Sequence, residues 1–251
     1  PFMMLLCALI FRAASMEFRS KKDSKAWRAL WDVLFSLSSI VATFLLGVAG
    51  ANTLIGLPID EKGVFHGTFF DFLTPTTITS GILAVLVFAL QGALYLQFKM
   101  QGEFQLKMLR IAKTLAIAVV VFFALVTLLT IYSVDRAKPN AVNTIFGLAS
   151  ITLLAITLIL IWKESGKFAF YVNSLYIVSM VLLFASNMFP DLVRSSLNPY
   201  YSLTIYNSAS SPKTLAIMMG IVFAVLPFVL AYTSYVYWVF RGPVKLDESS
   251  Y

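Results

Sequence analysis

Six uninterrupted apolar runs dominate the chain, at about residues 29–55, 76–100, 106–131, 140–162, 167–189 and 214–240. Each exceeds the roughly 20 residues that a helix needs to cross a bilayer core of about 30 Å. Backbone in lipid must satisfy its own hydrogen bonds, so only helices and closed barrels span it. The runs lack the strict alternation of a barrel strand. The fold class expected is therefore all-α, a polytopic transmembrane helix bundle. A seventh run, residues 1–11, covers only about half a bilayer at about 1.5 Å per residue. It has no basic segment before it and no small-residue cleavage site after it, as a secretory signal would. Arg12, Arg19, Lys21 and Lys22 follow it instead. It reads as the second half of a helix that starts before Pro1, making residues 1–251 a single, N-terminally incomplete integral-membrane domain with seven spans, the first partial.

Composition excludes a water-soluble domain. Charged residues make up 12% of the chain against about 25% in soluble domains, and mean hydropathy is +0.85. A net charge of +7 invites a nucleic-acid reading, which requires a basic patch on a wet face. The basic residues lie instead in short loops between apolar runs, so no nucleic-acid partner is expected. The one cysteine, Cys7, can form neither an intrachain disulfide nor a cysteine metal site.

The loops set an orientation. Six Lys and Arg lie in 12–28, four in 99–113, two in 163–167 and two in the C-terminal tail. The alternate loops hold one (Lys62), two (Arg136 and Lys138) and two (Arg194 and Lys213), so fourteen of the 19 fall on one side. That side is cytoplasmic by the positive-inside rule, which puts the C-terminus inside and loops 56–75 and 190–213 outside. Trp27, Trp31, Trp162, Tyr232, Tyr235, Tyr237 and Trp238 fall where spans meet water, as interface belts do. Turn chemistry marks the joints at Gly56-Leu57-Pro58, Pro75, Gly102, Lys138-Pro139-Asn140 and Glu164-Ser165-Gly166. Ser211 and Pro212 suit the N-cap and first position of the last helix, which carries Pro227 in its interior.

Candidate chemistry is sparse. Haem ligation in a membrane needs His, Met or Cys in the spans, and the single histidine, His66, lies in an outer loop. Met180, Met188, Met218 and Met219 read as apolar filling. Transporters carry ionisable groups near the midplane; here Asp32, Arg110 and Lys113 lie near the inner ends. The mid-span polar residues are neutral: Ser36, Ser38, Ser39, Thr43, Gln91, Thr127, Asn173 and Ser179, with interhelical hydrogen bonding as their default role. Gln91 stands out, because a mid-span amide must find a partner. Arg12 is either a snorkelling arginine or a buried one paired across a helix or subunit boundary, with Glu17 nearby on the same helix. Small residues four apart allow close helix approach at Gly47/Ala51, Ala89/Ala93, Ala112/Ala116 and Gly220/Ala224. The Tyr-, Ser- and Asn-rich stretch 198–213 is either a lid or docking surface, or a plain surface loop.

Three stretches resemble subunit II of the cytochrome bd-type quinol oxidases. They are residues 11–21 (FRAASMEFRSK), Gly92-Ala93-Leu94-Tyr95-Leu96 with Gly102, and residues 203–211 (LTIYNSASS) with Thr214-Leu215, Tyr237, Phe240-Arg241-Gly242 and Val244. The resemblance implies nine helices, as two four-helix bundles plus a peripheral helix, so that two helices and half of a third would precede Pro1. It implies a respiratory complex of a bacterial or archaeal cytoplasmic membrane that oxidises quinol and reduces O2 to water. Haem b and haem d would reside in subunit I, the heterodimer partner, with none bound by this chain and no catalytic residue in it. Small single-helix accessory subunits and a bound lipid or quinone also follow from the resemblance. Arg12 is similar to a family arginine facing subunit I, and Arg12, Glu17 and Gln91 are the candidate interface or proton-path residues. The alternative reading is a polytopic transporter, against which the absence of midplane charge and of paired broken helices argues.

Overall fold

The computed structural model describes residues 2–133 and 141–240. The joint Lys138-Pro139-Asn140, the basic residues Arg136, Arg241 and Lys245, and the tail residues Gly242 and Val244 lie outside the described residues. The described residues form seven α-helices: α1 (Phe2–Arg19), α2 (Lys25–Ile55), α3 (Pro75–Lys99), α4 (Glu103–Ser133), α5 (Ala141–Trp162), α6 (Gly166–Met188) and α7 (Pro212–Val239). The six from α2 to α7 are long and apolar enough to cross a membrane. Their ends fall within a few residues of the apolar runs. The largest differences are at the starts of α2 and α4, where amphipathic turns extend each helix past the apolar core to 31 residues.

Local chemistry sets the helix ends. Thr74 caps α3 by accepting a hydrogen bond from the Thr77 N–H at 3.3 Å, and Thr77 Oγ1 accepts from the Thr74 N–H at 2.8 Å. Pro75 holds the first position, where its missing N–H costs nothing. Ser211 and Pro212 play the same parts for α7. Gly56 ends α2 with φ +112° and Gly102 turns the chain between α3 and α4 with φ +74°, conformations that favour glycine.

Helices α3, α4, α5 and α6 close into a four-helix bundle, in which each packs on the next and α6 returns to α3. Its core holds Leu90, Leu94, Ala112, Ala116, Val119, Ile161, Ala169 and Tyr176, all fully buried. Helix α2 packs on α3, and α1 packs on α2. Small residues make the closest contact: a Cβ added at Gly47 would lie 2.8 Å from both Ala84 Cβ and Gly81 Cα. Because lipid tails are as apolar as the side chains, such packing and interhelical hydrogen bonds hold the bundle together. Helix α7 buries no residue. The Gly220/Ala224 pair therefore makes no close approach among the described residues, contrary to its spacing: Gly220 has nothing within 4 Å of an added Cβ. The Lys99 ammonium, largely buried, donates to the Phe240 carbonyl at 2.7 Å and links the ends of α3 and α7.

Segments 56–74 and 189–211 interlock over one end of the bundle. Leu57 N–H donates to Arg194 O and Ser196 N–H to Leu57 O, each at 2.9 Å, and Ser195 Oγ donates to Ile59 O at 2.6 Å. A two-stranded ribbon, β1 (Asp191–Val193) against β2 (Leu203–Thr204), folds the second segment back on itself. Asn52 and Thr77 both donate to Phe72 O, at 2.9 and 2.8 Å, and tie the first segment to α2 and α3. The expected loops are thus a structured cap.

Candidate functional site

The polar groups inside the bundle line up along the α5–α6 seam and its α3 flank. At the cap end Asn143 Nδ2 donates to Asn187 Oδ1 at 2.9 Å. Two helical turns deeper, Ser150 and Ser179 hydroxyls meet at 2.8 Å. Two turns deeper again lies a larger cluster. Gln91 Nε2 donates to Ser174 Oγ at 2.8 Å, and Asn173 Nδ2 donates to Gln91 Oε1 at 2.6 Å. The mid-span amide of Gln91 has therefore found its partners across the α3–α6 contact. Replacing Gln91 by leucine leaves Asn173 without its acceptor and Ser174 without its donor. Interhelical hydrogen bonds in membranes average about 0.6 kcal/mol and reach about 1.7, so a loss of about 1 kcal/mol is expected, read from the unfolding midpoint in detergent.

The other two candidates lie elsewhere. Arg12 and Glu17 are both exposed on α1. The Arg12 guanidinium lies over the Phe35 ring of α2, 5.7 Å from its centroid, and neither residue makes an ion pair among the described residues. The neighbouring turn is built from other groups: Arg19 pairs with Asp32 at 2.6 Å, Trp27 Nε1 donates to Phe18 O at 2.7 Å, and Trp31 stacks on Phe18 at 5.2 Å. Trp27 and Trp31 thus close the α1–α2 hairpin as well as sitting at its end.

Sequence reasoning missed Arg194, which it counted as one loop charge. Arg194 is 8% exposed and Asp191 7%. The guanidinium donates to Asp191 Oδ2 at 3.3 Å, to Leu54 O at 3.2 Å and to Asn187 O. Leu54 and Asn187 belong to the last turns of α2 and α6, whose terminal carbonyls lack intrahelical donors. The Pro190-Asp191 start and the three-residue spacing to Arg194 were the available signals. Beneath this group lie two cavities of about 270 and 310 Å3, which share Leu54, Leu83, Val126, Thr130, Met180 and Phe184 as walls.

A haem would need His, Met or Cys side chains placed to reach its iron. His66 is exposed in the cap, where its Nε2 meets Asp60 Oδ2 at 2.8 Å. That bond, with the Val64 N–H, holds the Asp60 carboxyl below the ordinary carboxylate range. Cys7 is exposed on α1, and Met218 and Met219 are exposed on α7. No group of three or more His, Cys, Asp or Glu converges among the described residues. His66, Cys7, Met218 and Met219 lie on separate elements, the cap, α1 and α7, while Met188 is buried at the end of α6.

The profile of the family described as cytochrome bd terminal oxidase subunit II matches residues 1–240. Cytochrome bd-I ubiquinol oxidase subunit 2 of Escherichia coli (strain K12) is 27% identical over 279 residues, covering 98% of this chain and 74% of that protein. Cytochrome bd ubiquinol oxidase subunit 2 of Bacillus subtilis (strain 168) is 26% identical over 249 residues, covering 99% and 74%. Among solved structures, the bd oxidase from Geobacillus thermodenitrificans superposes with a TM-score of 0.75 at 15% identity, over 95% of this chain and 72% of that one.

Proposed function

Because the chain belongs to the cytochrome bd terminal oxidase subunit II family, we propose that it supports a haem-bearing subunit I in a quinol:O2 oxidoreductase and ligates no haem itself. The single observation that carries this reading is a family match along residues 1–240 in a chain whose only histidine is committed to a surface loop. Haem b and haem d then belong to the partner, together with quinol oxidation and the reduction of O2 to water. The family match leaves no reason to retain the transporter reading.

Several finer features go with the proposal. The charge asymmetry of the loops supports a cytoplasmic C-terminus, with the 56–74 and 189–211 cap on the outer face. Arg12 and Glu17 expose charge on α1, and we assign that face to subunit I; Gln91 is a structural tie within the bundle. The apolar walls of the two cavities suit a lipid or quinone chain, and the exposed length of α7 leaves room for small single-helix accessory subunits.

Spectra of the purified complex test the proposal. A reduced-minus-oxidised difference spectrum is expected to show haem b and haem d bands in the two-subunit complex and none in this chain expressed alone. Absence of those bands from the complex would sink the oxidase reading. Arg12→Ala is expected to lower the yield and haem content of the assembled complex. Unchanged assembly would leave Arg12 as a snorkelling side chain over Phe35.

A further inference from the structure

We propose that the centre of the α3–α6 bundle is a water-binding site, formed by Asn173, Tyr176 and Thr157 at the inner edge of the Gln91 cluster. Asn173 Oδ1 and the Tyr176 hydroxyl have no hydrogen-bond partner among the described residues. Both side chains are fully buried. Buried polar atoms are almost always paired, with protein or with ordered water. Exchanging the two ends of the Asn173 amide only moves the orphan from oxygen to nitrogen, and it breaks the bond to Gln91 Oε1.

The register of α5 against α6 brings in a third group. The contacts Asn143–Asn187 and Ser150–Ser179 step two turns at a time along these antiparallel helices. One more step sets Thr157 level with Asn173. Thr157 is fully buried, and its hydroxyl donates to Leu153 O at 2.9 Å, which leaves the oxygen free to accept. Asn173 and Tyr176 are three residues apart on one helix face, where side chains are neighbours, and long side chains on a helix lean towards its N-terminus. Both features carry the Tyr176 hydroxyl towards Asn173. The ring also meets Phe123 of α4 in an edge contact at 6.1 Å.

A water here donates to Asn173 Oδ1 and Thr157 Oγ1 and accepts from the Tyr176 hydroxyl. Three partners are typical of a buried water. It completes a polar node that joins α3, α5 and α6 and seats Tyr176 against α4. Leu90, Leu94, Ile161 and Ala169, all fully buried, belong to the apolar packing of the same bundle, so the water exchanges only when the helices part.

Two measurements on the intact membrane complex test the site. X-ray radiolysis makes hydroxyl radicals from bound water and oxidises the side chains beside it. Tyr176 is expected to be oxidised several-fold faster in the parent complex than in Asn173→Leu, or in Thr157→Val should the first variant fail to assemble. Equal rates overturn the proposal. Tyr176→Phe removes only the hydroxyl. With a bound water it removes the donor to that water and lowers the unfolding midpoint by about 2–4 °C. A midpoint that stays or rises identifies the hydroxyl as an unpaired group whose removal is free, and overturns the proposal.

Discussion

Replacing Arg194 by leucine is expected to destabilise the chain by about 3–5 kcal/mol, the cost of breaking a buried ion pair from one side. Three acceptors lose the Arg194 guanidinium at once: the Asp191 carboxylate and the carbonyls of Leu54 and Asn187. The two carbonyls close helices whose C-terminal ends carry partial negative charge, so the cation also opposes both dipoles. Leucine fills the space but leaves Asp191 charged, buried and without its Arg194 partner. Lysine keeps the charge and loses the fork that reaches several oxygens together, so Arg194→Lys is expected to recover only part of the loss. Asp191→Leu combined with Arg194→Leu removes both charges and is expected to be milder than Arg194→Leu alone. Arg28, exposed and paired with a fully exposed Asp23, is the control, and its replacement by alanine is expected to cost under about 1 kcal/mol. The thermal midpoint of the purified complex reads all four. Equal midpoints for Arg194→Leu and Arg28→Ala would show that the cap does not depend on the buried guanidinium.

The contrast between these two arginines marks where the sequence stops being legible. Span positions follow from apolar length, and all six longer runs became helices at the expected places. The Ser211–Pro212 helix start and the need of Gln91 for a partner were also readable, because each rests on chemistry local to the residue. Arg194 and Lys99 were counted as loop charges. A loop count cannot register that segment 189–211 folds back over α2, or that a lysine at the end of α3 reaches the Phe240 carbonyl. Helix α7 makes the same point from the apolar side. Its apolar residues are spread around the helix, so no strong apolar stripe indicates which face packs. The candidate site divides in the same way. Gln91 meets its partners inside the bundle, whereas Arg12 and Glu17 are exposed on α1, Arg12 over the Phe35 ring.

Small-residue spacing gives the second large effect, because it separates packing within the chain from packing against a partner. Gly47 and Gly220 each precede an alanine by four residues, yet only Gly47 faces a helix. An added Cβ there would press on Ala84 Cβ and on backbone atoms of α3, Gly81 Cα at 2.8 Å and Ser80 O at 2.9 Å. Backbone cannot swing aside as a side-chain end can. From the other side, a Cβ at Gly81 would lie 2.7 Å from the Phe44 ring of α2, so neither helix can yield alone. Gly47→Leu is therefore expected to cost at least the 1–3 kcal/mol typical of overpacking, and to prise the α1–α2 hairpin from the four-helix bundle. Gly50, one turn on, has nothing within 4 Å of an added Cβ and borders the first cavity; Gly50→Leu is expected to be tolerated. Gly220→Leu is expected to leave this chain's own helix packing intact. A complex that assembles with Gly220→Leu and fails with Gly47→Leu assigns the damage to the α2–α3 contact. Failure with both would put the small-residue face of α7 against a partner subunit, and normal assembly with Gly47→Leu would mean that α2 and α3 can separate without loss.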